Sequence, residues 1–154
     1  MPVMETSAAV EVAVRAPDAF AFVADATNNP RWQKGMVDCT WLADEPPIGV
    51  GSRYRQHARF MGRDVRSIFE VTEYVDGQVI AARTLRVDEG GVAGGFPITF
   101  RRSVEPVGEG RCRVRTVVTG EPGRFFGLAA GPLAWMVRRS IRADYRRLVG
   151  VLES

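Results

Sequence analysis

Residues 53–60 read RYRQHARF, and the alternation in this stretch decides how the rest of the chain is read. Successive side chains of a strand point to opposite faces, so Arg53, Arg55, His57 and Arg59 share one face and Tyr54, Gln56, Ala58 and Phe60 the other. A row of buried arginines without partners is costly, because each charge loses its hydration. The arginine face therefore belongs outside and the aromatic face inside, unless a register bulge intervenes. His57, the one histidine of the chain, goes out with the arginines and is not expected to act as a buried general base.

The same period recurs on both sides. Residues 36–44, MVDCTWLAD, place Val37, Cys39 and Trp41 inward. Residues 63–75 place Val65, Ser67, Phe69 and Val71 inward and leave Ile68 outside with Arg66 and Glu70. Asp76-Gly77 signals a hairpin into residues 78–87, where Ile80, Ala82 and Thr84 read as inward. Residues 111–121 put Arg111, Arg113 and Arg115 out and Cys112, Val114, Thr116 and Val118 in. Residues 96–107 break the rule, because their inward set is Ile98, Phe100, Arg102 and Val104. An inward Arg102 must be paired, lie at the strand's wet end, or meet an anionic or carbonyl-bearing ligand.

Flanking these six strands, residues 8–15, AAVEVAVR, read as a first strand closed at Ala16-Pro17. Pro17 suits the first turn of a short helix, PDAFAFVAD, with Phe20, Phe22 and Val23 as its apolar content. A second helical turn is expected to start at Pro30. After Pro122-Gly123 the period changes to that of a helix, with Leu133, Met136, Val137, Ile141, Tyr145, Leu148 and Leu152 on one stripe. Gly131-Pro132 is expected to kink or restart it. The fold class is α+β: a seven-stranded antiparallel meander, with two short helices after the first strand, that hides one face under a long C-terminal helix.

At 154 residues the chain makes one domain, residues 1–154, large enough to bury roughly 70% of its unfolded surface. Its 45% hydrophobic and 25% charged residues suit a soluble protein, and a cytoplasmic location is expected. No apolar run is long enough for a membrane span, and residues 1–15 lack the form of a signal peptide. Cys39 and Cys112 show no zinc spacing and read as buried thiols, so no metal is expected. The single lysine and twenty arginines give a net charge of only +3 and are spread along the chain. No nucleic-acid partner is expected from such a scatter. The glycines of residues 89–95, EGGVAGG, match no nucleotide fingerprint; they read as a hairpin loop able to gate a pocket, and no cofactor is expected.

Residues 16–32 (APDAFAFVADATNNPRW), 50–54 (VGSRY), 69–77 (FEVTEYVDG), 104–114 (VEPVGEGRCRV) and 137–153 carry a resemblance. With the element order, they make the chain similar to the START-like, helix-grip superfamily, and within it to polyketide cyclase/dehydrase-type (SRPBCC) bacterial proteins. The resemblance implies a curved sheet wrapped around the long helix with a cavity between them. It also implies a hydrophobic small-molecule ligand, polyketide- or lipid-like, and carries over no catalytic residue. The inward set supplies the expected ligand-binding residues: Trp32 as a cover, Trp41, Tyr54, Gln56, Phe60, Phe69, Phe100, Arg102 and Met136. The alternative is a cyclase or dehydratase in which Arg102 polarises a carbonyl and Tyr54 relays a proton. The sorting places no inward His, Asp or Glu to serve as its base. On the last helix Trp135 falls outside the apolar stripe, near Arg138 and Arg142, which suggests a homodimer contact.

Overall fold

The computed structural model describes residues 4–42, 47–60, 62–89, 97–120 and 130–154. Seven strands follow the expected order: β1 (Met4–Val12), β2 (Met36–Trp41), β3 (Arg53–Phe60), β4 (Arg63–Val75), β5 (Val79–Glu89), β6 (Ile98–Gly108) and β7 (Arg111–Gly120). Two helices accompany them, α1 (Ala16–Ala24) and α2 (Ala130–Leu152). β2 to β7 form an antiparallel meander, but β1 joins beside β7 at the far edge, giving the order β1-β7-β6-β5-β4-β3-β2. The sheet curls into a half-barrel around α2, the helix-grip architecture. Pro132 lies in the first turn of α2, where its missing N–H breaks no intrahelical bond.

The second helical element corrects the sequence reading. It is a 3₁₀ helix spanning Ala26–Arg31, and Pro30 sits near its end, not its start. The signal missed was Asp25, whose Oδ1 accepts from Thr27 N at 3.0 Å and Thr27 Oγ1 at 2.7 Å. At the β4–β5 turn Gly77 has φ +79°, a conformation that a side chain would strain.

Alternation holds where strands are regular and fails where they bulge. A register shift between Met36 and Asp38 turns Val37 outward, 46% exposed, and leaves Cys39 buried. Ile68 was expected on the wet face, yet it is 1% exposed. Its cross-strand partners there are Arg55 and Arg86, whose alkyl stems can cover it. His57 stays on the outer face, its Nε2 2.8 Å from Asp64 Oδ1.

The main core joins Val12, Val104, Cys112 and Val114 of the sheet to Phe20 and Val23 of α1 and to Tyr145 and Leu148 of α2. A second cluster, Tyr54, Phe69, Ala82 and Phe100, lies farther along the concave face. Polar ties fix α2 in place: Lys34 N donates to Asp144 Oδ1 at 3.1 Å, Arg147 Nη1 to Trp32 O at 3.0 Å, and Ala13 N to Glu153 Oε2 at 2.8 Å.

Leu148 is fully buried where α2 meets the sheet. Leu148→Ala is expected to cost about 2–5 kcal/mol and to lower the melting temperature, read by circular dichroism, by roughly 5–15 °C. Val37→Thr, at the exposed bulge, should stay within about 0.5 kcal/mol of the parent.

Candidate functional site

Between the concave sheet face and the N-terminal half of α2 lies a cavity of about 430 Å³, inside the range of small-molecule sites, about 300–1,000 Å³. Its wall follows the alternation: Gln56 and Ala58 from β3, Val65, Ser67 and Phe69 from β4, Ile98, Phe100 and Arg102 from β6, Thr116 and Val118 from β7. β5 contributes Thr84 and Val87, three residues apart, because it is out of step with β4 at several points. Helix α2 closes the space with Met136, Val137, Ser140, Ile141, Asp144 and Tyr145, and Trp32, Gln33 and Met36 complete it. Arg59, read as outward, also reaches the lining, while its Nε donates to Asp64 at 3.2 Å.

Arg102 is the anomaly of this wall. It is 7% exposed, paired across the sheet with Ile80 and Thr116, and forms no salt bridge among the described residues. Its Cζ lies 4.3 Å from the centroid of Phe100 and 5.0 Å from that of Trp32, so two aromatic faces take up part of the charge. Nη1 donates to Val23 O at 3.2 Å and to Asn29 Oδ1 at 3.4 Å. Asn29, itself buried, also donates from Nδ2 to Cys39 Sγ at 3.9 Å. The 3₁₀ helix thus presents Asn29 to the guanidinium, a role its place in a turn-rich stretch had hidden.

The cavity also contains a carboxylate that sequence sorting missed. Asp144 belongs to the apolar stripe by position, one turn from Ser140 and Ile141, and it lines the cavity with them. Burial pushes its carboxyl above the usual aspartate range, against the opposing pull of the Lys34 N–H and of Arg147, 2.7 Å away.

A family model described as polyketide cyclase/dehydrase and lipid transport matches residues 3–153. The chain belongs to this family. Among solved structures, the ZhuI aromatase/cyclase from Streptomyces sp. R1128 superposes with TM-score 0.78 at 16% identity, covering 98% of this chain and 94% of that one. A START superfamily protein from Mycobacterium smegmatis gives 0.66 at 21% identity, covering 94% and 98%. Ginseng major latex-like protein 151 from Panax ginseng gives 0.67 at 12% identity, covering 97% of each chain. At such identities the likeness is one of fold. Among the curated proteins no sequence matches.

In this member of the polyketide cyclase/dehydrase family, Gln56, Phe69, Phe100, Arg102 and Met136 line the cavity, as does Trp32. Trp32 is no exposed cover: it is 1% exposed, packed edge-on against Tyr145 with centroids 5.0 Å apart. Two expected residues stand behind the lining. Trp41 turns its Nε1 to Asp25 Oδ1 at 3.0 Å and packs edge-on against Tyr54, and Tyr54 stacks on Phe69 with centroids 5.3 Å apart. Among the described residues the Tyr54 hydroxyl has no hydrogen-bond partner, and burial drives that phenol upward, so it is poorly placed to relay a proton. The Phe60 side chain and the loop at 90–96 lie outside the described residues. No helix of the described residues is long and apolar enough to cross a membrane.

Two outcomes test this electrostatic picture. Above pH 3.8, the ordinary aspartate value, unfolded Asp144 ionises before the folded side chain does. The wild type should therefore lose stability relative to Asp144→Asn between pH 4 and pH 7, read by urea unfolding at each pH. An opposite slope would mean that Arg147 dominates over burial. The Cys39 thiol is pushed up to about 12 by burial, so it should react with a disulfide reagent at pH 8 only after denaturation.

Proposed function

We propose that this protein binds a hydrophobic small molecule, polyketide- or lipid-like, in the space between the sheet and α2. The observation that carries this reading is the cavity of about 430 Å³. Val65, Phe69, Val87, Ile98, Val118 and Ile141 make most of its wall apolar, and a few polar groups are set among them. Wall residues of this kind gain from apolar contact with a ligand at about 0.8 kcal/mol per buried methylene. A carrier or sensor needs no more chemistry than this.

A cyclase or dehydratase is the second reading, and Asp144 favours it. Arg102 polarises a carbonyl, and a carboxyl of raised affinity for protons supplies the acid or base that strand sorting did not find. The aromatase/cyclase among the structural relatives agrees in fold. Ring closure lost in Arg102→Ala and Asp144→Asn proteins, with ligand binding retained, would move the assignment from carrier to enzyme.

The outer face of α2 carries a reading of its own, a homodimer contact centred on Trp135, which is 59% exposed beneath the Arg139 guanidinium at 5.4 Å. Like-charged arginines meet in such a pairing, so a dimer should strengthen with salt and dissolve in Trp135→Ala, read by sedimentation velocity.

Straight-chain alcohols from hexanol to decanol provide the direct test of the cavity. Each added methylene should tighten binding about 3- to 4-fold, measured by displacement of the uncharged probe N-phenyl-1-naphthylamine. Ala58→Trp, which fills the cavity from β3, should weaken probe binding at least 10-fold with little change in melting temperature. No probe binding to the wild type would remove the proposal.

A further inference from the structure

We infer that the cavity selects amphiphiles ending in a carboxylate, and that Arg102 is the residue that makes the selection. The inference rests on the binding function proposed above and adds the charge of the ligand's head group.

A guanidinium has five N–H donors and no acceptor. Those on Nη1 are spent on Val23 O and Asn29 Oδ1, both neutral. Among the described residues Nε, closed off from solvent, has no hydrogen-bond partner, and Nη2 donates to no acceptor. The Nε–H and one Nη2–H of any arginine project in parallel along one edge, the geometry that grips a carboxylate with two bonds. Arg102 lines the cavity, so that edge is the part of its guanidinium left for an incoming head group.

Among the described residues no carboxylate bonds Arg102 directly. Asp144, on the cavity wall, feels the Arg102 charge at a distance but is bonded to the Lys34 N–H and Arg147. Phe100 and Trp32 soften the burial of the charge without neutralising it. A buried cation held on neutral acceptors gains most from a ligand that brings the missing negative charge with its own apolar chain. Among the described residues Trp32 Nε1, a donor, and the Tyr145 hydroxyl, which can donate, also lack partners, and both residues line the cavity.

The test uses the intact protein and competition against N-phenyl-1-naphthylamine at pH 7.5. Decanoate should displace the probe about 10- to 100-fold better than decan-1-ol or methyl decanoate, despite being the least hydrophobic of the three. In Arg102→Met that preference should fall to within about 3-fold, each competitor being measured against the variant's own probe affinity. Equal or better displacement by the alcohol would overturn the inference and leave the apolar cavity intact. Equal displacement by the ester would show that a carbonyl is read and not a charge, and would also overturn it. Failure of the probe to bind wild type would sink the underlying reading instead. Should Arg102→Met not fold, the acid-to-alcohol ratio on the wild type decides alone.

Discussion

One helix is too narrow to fill the hollow of a curled sheet of seven strands. Strands about 4.8 Å apart make such a sheet roughly 30 Å wide, whereas a helix with its side chains is about 10–12 Å across. The chain resolves the mismatch unevenly. At one end α1 and Trp32 pack with Tyr145 and Leu148 into a core. Toward the start of α2 the filler runs out, and Met136, Val137 and Ile141 stand over space. The same apolar stripe that anchors the helix therefore also roofs the cavity.

The polar groups at the junction of these two regions form connected sets. Arg102, Asn29 and Cys39 make one chain of contacts, and Asp25, Thr27 and Trp41 another, both built on the short helical segment between β1 and β2. Trp41 leans on Tyr54, and Tyr54 on Phe69, so the second set reaches the cavity wall through aromatic contact. The position of Asp25 thus helps to fix a wall residue with which it has no direct bond.

Most of the fold was legible because the strand period is short and the arginines mark one face of it. Gln56, Phe69, Phe100 and Arg102 were found by parity alone, and each lines the cavity. What parity could not reveal was depth. Trp41 and Tyr54 point to the inner side but sit behind Phe69, because an inward side chain can face another side chain as easily as open space. Bulges are equally hidden in a sequence, and one moved Val37 outward while others brought Val87 to the wall. Asp144 escaped because a single carboxylate does not disturb an apolar stripe, and only the tertiary contact with Lys34 and Arg147 shows which way it turns. Ile68 shows the reverse: a position that parity sends to the wet face is buried, between Arg55 and Arg86 of the neighbouring strands.

The placement of β1 beside β7 has a consequence for how the molecule is made. Val12 pairs with Cys112 and Met4 with Gly120, so β1 has no strand beside it until at least a hundred further residues have been added. Synthesis can lay down the middle hairpins one by one. Closure by β1, and with it the seat for α2, must wait for β7, which makes that step non-local and correspondingly slow.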